Sequence, residues 1–198
     1  MCRFIESIRL EEGKFGNLDY HQARMNQAME EFHKDSAKID LKEFLISCPM
    51  PSIGLHKVRL IYDTEIQSIQ ISHYVHREIR KLKLVHSDSI SYSHKFETRI
   101  ELEKLLALRG DCDDVIIVKN NRITDSSFAN LAFKKGDKWY TSSAYLLNGT
   151  MRQQLIDQKI VLEEEVTIAD LTKYEKAKLI NSMLLFNGLE IDVSQIVH

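Results

Sequence analysis

Proline and glycine are scarce in this chain. Two prolines, Pro49 and Pro51, and seven glycines are spread over 198 residues, which argues against long structureless linkers and for regular elements joined by short turns. Cysteine is sparse as well. Cys2, Cys48 and Cys112 are odd in number and far apart, which fits free thiols in a reducing compartment rather than a disulfide framework, and implies a cytoplasmic location. No apolar run approaches the roughly 20 residues that a bilayer-spanning helix needs. MCRFIESIRL lacks the basic region and apolar stretch of a secretory signal, so neither a membrane span nor a leader is legible. Charge of one sign is missing too. With 27 basic and 29 acidic residues and a net charge of −2, counterion release gives little hold on nucleic acid.

Other chemistries are excluded by spacing. Eight histidines are scattered, and His73-x-x-His76 sits on an expected strand with no acidic partner in ligand spacing, so no metal ligand is assigned. No Walker A loop is present, and no G-x-G-x-x-G follows a strand. What remains is 43% hydrophobic and 28% charged, the composition of an ordinary globular protein with one core or two small subdomains sharing a cleft.

RFIESIRL and KFGNL read as two strands around a Glu12–Gly13 turn. Asp19 is a good N-cap for YHQARMNQAMEEFH, where Met25, Ala28, Met29 and Phe32 recur at helical spacing. A second helix is expected from Asp40 to just before Pro49. KVRLIYD and IQSIQISHYV follow as adjacent strands, and LKLVHS as a shorter one. ETRIELEKLLALRG is an amphipathic helix stopped by Gly110, and DDVIIVKN a buried strand. FANLAFKKGDKWYTS is a hairpin turning at Lys135–Gly136–Asp137. TMRQQLIDQ reads as a helix, IVLEEEVT as a strand and IADLTKYEKA as a helix, with LINSMLLF and GLEIDV as closing strands. The Ser-rich HSDSISYSH marks a boundary near residues 87–94. The expectation is an α/β (α+β) fold of two small subdomains, residues 1–86 and 95–198.

The chemistry lies in the order of a few segments. Lys95, in YSHKFETRIE, precedes Asp125 in RITDSSFANLAF and then NGTMRQQL, which opens a helix. The three supply an amine able to form an imine, an acid able to face a pyridinium nitrogen, and backbone N–H groups able to hold a phosphate. A protein must provide those three things to use pyridoxal 5′-phosphate as an electron sink. Each has an ordinary alternative: a solvated lysine, an Asp that caps a turn through Ser126 and Ser127, and a plain helix start. On an alternating strand Ile5, Ser7 and Arg9 share one face.

From about Phe4 to Val193 the chain resembles the class IV, fold-type IV pyridoxal phosphate enzymes: branched-chain and D-amino acid aminotransferases and 4-amino-4-deoxychorismate lyases. FIESIR, YHQAR, HKFETR, TDSSFANLAF and NGTMR follow one another as that family's motifs do. The resemblance implies that Lys95 forms the imine and shuttles the substrate's α-proton, and that Asp125, where the family usually has Glu, faces the ring nitrogen. It implies that Arg24 of the H-x-x-R motif pairs with the phosphate, a surface arginine being the alternative, while His21 packs. Backbone N–H groups of Thr150 and Met151 and the hydroxyl of Ser182 would hold the same phosphate; Ser182 is equally a strand-end serine. The fold implied places the cofactor in the cleft between subdomains of a homodimer.

K-F-E-T-R resembles the K-x-x-N-R wording of the lyases, with Thr98 in place of asparagine before Arg99. Ser7 stands where lyases place a threonine near the substrate. Arg9 and Arg99 are then candidates for substrate contacts, a surface role for Arg9 being the alternative. The expected activity is the lyase reaction, giving 4-aminobenzoate and pyruvate in folate synthesis. An amino-acid aminotransferase comes second, and a family member without turnover third. Family members carry a further strand and a G-D-G turn ahead of the pattern that starts here at Phe4. The chain reads as N-terminally shortened, with a pocket more open or completed by a partner subunit.

Overall fold

The computed structural model describes residues 2–186, 188 and 190–198. The chain forms two compact units: residues up to His76 joined by His94–Thr98, and Arg77–Ser93 with Arg99–His198. This division differs from 1–86 against 95–198 because strand pairing decides it. The strand Leu82–His86 pairs inside the second unit. Segment 94–98 returns to the first, where Ile5 N donates to Lys95 O at 2.9 Å and Phe4 bridges Phe96.

In the first unit β1 (Phe4–Glu11), β2 (Lys14–Phe15), β3 (Leu55–Tyr62) and β4 (Ile66–His73) form an antiparallel sheet in the order β2-β1-β3-β4. Two helices accompany it, α1 (Leu18–Phe32) and α2 (Leu41–Ile46). Alternation puts Phe4, Glu6, Ile8 and Leu10 on one face of β1. Phe4, Ile8 and Leu10 are buried with Met25, Ala28 and Met29 of α1 and with Leu41 and Leu45 of α2. Each such side chain contributes roughly 1.5–3 kcal/mol. Glu6 is the polar exception on that face.

The second unit holds two sheets. One runs β13-β5-β6-β7, from β5 (Leu82–His86), β6 (Asp114–Lys119), β7 (Arg122–Ser126) and β13 (Ile196–Val197). The other runs β10-β9-β8-β11-β12, from β8 (Asn130–Lys135), β9 (Lys138–Ser142), β10 (Val161–Glu164), β11 (Lys176–Ile180) and β12 (Ile191–Asp192). Helices α3 (Ile100–Ala107) and α4 (Thr150–Asp157) complete it. β6 lies parallel to β5 and antiparallel to β7, and its DVIIV run is buried throughout, as a strand covered on both faces must be. Leu82, Leu84, Ile116, Val118 and Ile123 of one sheet pack with Leu131, Phe133 and Ala177 of the other.

Several elements differ from the sequence expectation. α1 starts at Leu18, with Asn17 at the cap in a left-handed conformation (φ 55°). Asp19 therefore lies in the first helical turn, where its charge complements the helix dipole instead of capping. Regular helix in α3 ends at Ala107, and turns carry the chain to Gly110, whose φ is +60°. IADLTKYEKA is not an α-helix. Asp170 accepts from Thr167 N at 2.9 Å and Thr167 Oγ1 at 2.6 Å, which closes a short 3-10 turn at Ala169–Lys173. Lys176 then starts β11, pairing with β8, so the strand expected at LINSMLLF lies earlier and Asn181 begins a turn. Of the closing GLEIDV strand, Ile191–Asp192 is extended and Leu189 lies outside the described residues. β7 was not anticipated; it pairs with β6 and carries Asp125. No described helix is long and apolar enough to cross a membrane.

Candidate active site

In the first unit the chemistry gathers on both faces of β1. Glu6 is fully buried on the core face. It accepts from Arg24 Nε at 2.9 Å and Nη2 at 2.5 Å, and lies 2.5 Å from His21 Nδ1. His21 and Arg24 stand three apart on α1, so one helix face presents both donors to one carboxylate. Burial opposes Glu6 ionisation, but Arg24 and His21 together outweigh it and hold its carboxyl at about 2. Burial keeps the His21 imidazole below its ordinary value, so it is neutral at neutral pH. An ionised carboxylate only accepts, so the shared proton sits on His21 Nδ1. His21 Nε2 is then a lone-pair acceptor, buried and unpartnered among the described residues.

Ser7 and Arg9 take the opposite face of β1. Ser7 is half-buried and stands across from Arg59 of β3. Arg9 is buried, with its Nη2 donating to Glu11 Oε2 at 2.8 Å. Lys95 is half-buried in the segment laid against Ile5, and its charge is among those that depress His21.

In the second unit the centre is Asp125 on β7. It is buried, with Oδ1 accepting from Asn130 Nδ2 at 2.7 Å and Oδ2 from the backbone N–H groups of Leu146 and Leu147 at 3.1 and 2.9 Å. Burial outweighs those bonds and pushes its carboxyl up to about 6. Asn130 also donates to Leu147 O at 2.8 Å, so one amide fastens both the acid and the loop that leads into α4. Gly149 ends that loop. A Cβ there would collide with Asn130 Oδ1, so the residue is glycine for space, its φ of −68° being open to any side chain. Thr150 and Met151, both buried, follow as the first turn of α4, where backbone N–H groups have no intrahelical acceptor.

Arg152 braces the same loop. Only 2% of its side chain is exposed. It donates to Asn148 Oδ1 and Ser142 O, pairs with Glu163 and lies 4.2 Å over the Tyr145 ring. Ser182 sits in the turn after β11, whose Asn181 Oδ1 accepts from Met183 N and Leu184 N, while its Nδ2 reaches Phe128 O at 3.4 Å. Arg99 Nη2 donates to Ser127 O at 2.5 Å, leaving its Nε buried and unpartnered among the described residues. Ser127 is also held by buried Asp114, through its N at 3.1 Å and Oγ at 2.9 Å. Asp125 is thus joined to the loop that leads into α4, and Arg99 and the Asn181 side chain beside Ser182 reach the backbone of Ser127 and Phe128 just past Asp125.

Glu6, Asn130, Arg152 and Asp114 were not singled out in the sequence. Glu6 had a visible signal, a charge in the middle of the alternating apolar face Phe4, Ile8, Leu10. The other three act through the tertiary neighbours of a loop.

These elements define a class. The chain belongs to the amino-transferase class IV family, whose model matches residues 3–187. A Haemophilus influenzae protein described as uncharacterized is 35% identical over 191 residues, spanning 96% of this chain and 100% of that protein. Among solved structures, a Haemophilus somnus protein described as a "putative 4-amino-4-deoxychorismate lyase" is 32% identical. It superposes with a TM-score of 0.87 over 96% of this chain and 98% of that one. A Mycobacterium tuberculosis hypothetical aminotransferase in its PLP-bound form shares the fold at 17% identity, with a TM-score of 0.73 over 92% and 78%.

Proposed function

We propose that the chain is a pyridoxal 5′-phosphate-dependent lyase that converts 4-amino-4-deoxychorismate to 4-aminobenzoate and pyruvate, as a cytoplasmic homodimer in folate synthesis. Asp125 carries the reading. A carboxylate has about four acceptor sites, and Asn130, Leu146 and Leu147 take three. The remaining Oδ1 site suits a ring N–H. The rest of the donor set fits as well: an amine at Lys95, a guanidinium at Arg24, and the open first-turn N–H groups of Thr150 and Met151.

Bound pyridoxal phosphate supplies an electron-withdrawing ring that accepts the charge left when a substrate's α-proton departs. Lys95 Nζ would hold the cofactor at its aldehyde carbon and would take or return the proton at the substrate's α-carbon. Asp125 holds the ring nitrogen in its protonated form. Arg24, the N–H groups of Thr150 and Met151, and Ser182 Oγ grip the phosphate. Ser7 lies beside the substrate. Arg9 and Arg99 contact the substrate's carboxylates, Arg9 by exchanging Glu11 for a ligand anion and Arg99 through its unpartnered Nε.

The lyase is preferred because the 32% identical relative is described as one and because K-F-E-T-R follows the lyase wording. An amino-acid aminotransferase of branched-chain or D-amino acid type is the second reading, favoured by Thr98 where the lyases carry asparagine; a member without turnover is the third. Purified protein should be given 4-amino-4-deoxychorismate and, separately, an amino donor with 2-oxoglutarate. Release of 4-aminobenzoate and pyruvate without transamination is expected, and the opposite pattern would replace the lyase by the aminotransferase. Loaded protein should carry a borohydride-sensitive chromophore that Lys95→Ala abolishes. A borohydride-inert or absent cofactor points to the third reading.

A further inference from the structure

Glu6 is an unusual residue for its position. It faces the apolar core between Phe4 and Ile8 and is fully buried, where a carboxylate is stable only if paired and hydrogen-bonded. Its partners come from one helix face at i and i+3: His21 Nδ1 at 2.5 Å, and Arg24 through Nε and Nη2 at 2.9 and 2.5 Å. A buried ion pair adds less to stability than a well-packed apolar substitute would. The arrangement therefore calls for a role in orientation.

We propose that Glu6 is a positioning residue that holds Arg24 side-on, so that the guanidinium meets the cofactor's phosphate with its end-on edge. This rests on the reading of Arg24 as a phosphate partner. The guanidinium is planar and rigid, with N–H donors in a fixed fork. Using Nε and Nη2 on Glu6 sets the plane and direction of the other donors. Only 11% of the Arg24 side chain is exposed, so little freedom remains to reorient once Glu6 has fixed that edge. His21 completes the hold. Its Nδ1–H fills a further acceptor site on Glu6 without adding a second positive charge. Among the described residues, the charged and titratable groups that bear on the cluster include Glu6 of β1, His21 and Arg24 of α1, Tyr62 of β3, which burial and Glu6 keep protonated, and Lys95. The H-x-x-R spacing and the Glu of F-I-E-S-I-R thus work as one device.

The test compares pyridoxal phosphate with pyridoxal, which lacks only the phosphate, by absorbance titration of wild type, Glu6→Gln and Glu6→Asp. Wild type should prefer the phosphorylated form. Glu6→Gln should lose about tenfold or more in affinity for pyridoxal phosphate while binding pyridoxal unchanged, since Arg24, no longer held in place, makes a poorer charge-assisted pair with the phosphate. Glu6→Asp keeps the charge one methylene short and should retain an intermediate preference, which also serves if Glu6→Gln does not fold. Thermal shift of cofactor-free protein by inorganic phosphate should follow the same order. If wild type prefers pyridoxal phosphate and both variants keep that preference in full, Glu6 does not position Arg24 and the proposal is overturned. If wild type binds both ligands equally, the phosphate role of Arg24 itself falls.

Discussion

Asp125 divides its two oxygens among an amide of Asn130 and two consecutive backbone N–H groups, and still burial lifts its carboxyl to about 6. Those three donors favour the charged form, but they are neutral dipoles and do not replace the water that burial removed. A cationic ring N–H at the remaining Oδ1 site would supply the missing charge, and the carboxyl should then ionise at lower pH. Titration of the Asp125 13Cγ shift, assigned with Asp125→Asn, should give a midpoint near 6 without cofactor and clearly below it with pyridoxal phosphate bound. A midpoint that stays where it was would show that Asp125 does not face the ring nitrogen. The sequence exposed this acid through its place before S-S-F-A-N. It could not expose the Leu146 and Leu147 amides, because nothing local in RITDSSFANLAF says which distant backbone returns to meet it.

The loop from Ala144 to Gly149 and the start of α4 behave as one element, held by Asn130, Arg152 and Asp125 together. Gly149→Ala is informative because its backbone angles allow alanine, so any effect comes from the collision with Asn130 Oδ1. Displacing Asn130 breaks its bonds to Asp125 and to Leu147 O. The expected cost is about 1–3 kcal/mol, read as a lowered urea midpoint, with weakened pyridoxal phosphate binding beside it. Unchanged stability and binding would mean that the loop is not fixed by Asn130. The sequence located α4 and the β8–β9 hairpin well, because G-T-M-R and K-K-G-D-K carry their own start and turn signals. It misjudged residues 168–186. There IADLTKYEKA has helical composition, but the Thr167–Asp170 bonds and the pairing of β11 with β8 override it. Tertiary pairing of that kind leaves no local periodicity to read. The same limit applies to Lys95, whose segment joins the first unit through the backbone bond of Lys95 O to Ile5 N and through the packing of His94 and Phe96 on Phe4 and Phe32, distant partners that nothing local announces.

Glu6 and Asp125 are buried carboxylates in different units, and acid acts on the two in opposite directions. Glu6 in the first unit is lowered from 4.5 to about 2. Its contribution is complete above its unfolded value and is lost as pH falls toward the folded one, about 3 kcal/mol in all. Asp125 in the second unit is raised from 3.8 to about 6. Its ionised form weakens that unit above about pH 6, and the penalty fades as pH falls to its unfolded value. Acidification from about pH 5 to about pH 3 should therefore loosen the first unit while the Asp125 contribution of the second no longer opposes folding. Hydrogen exchange of cofactor-free protein, corrected for the intrinsic pH dependence of exchange, checks this element by element. Protection in β1 and α1 should fall before protection in β6 and β8, and Glu6→Gln should flatten the acid limb of the first unit alone. Simultaneous loss in both units, unaltered by Glu6→Gln, would show that the Glu6 cluster does not set the acid stability of its unit.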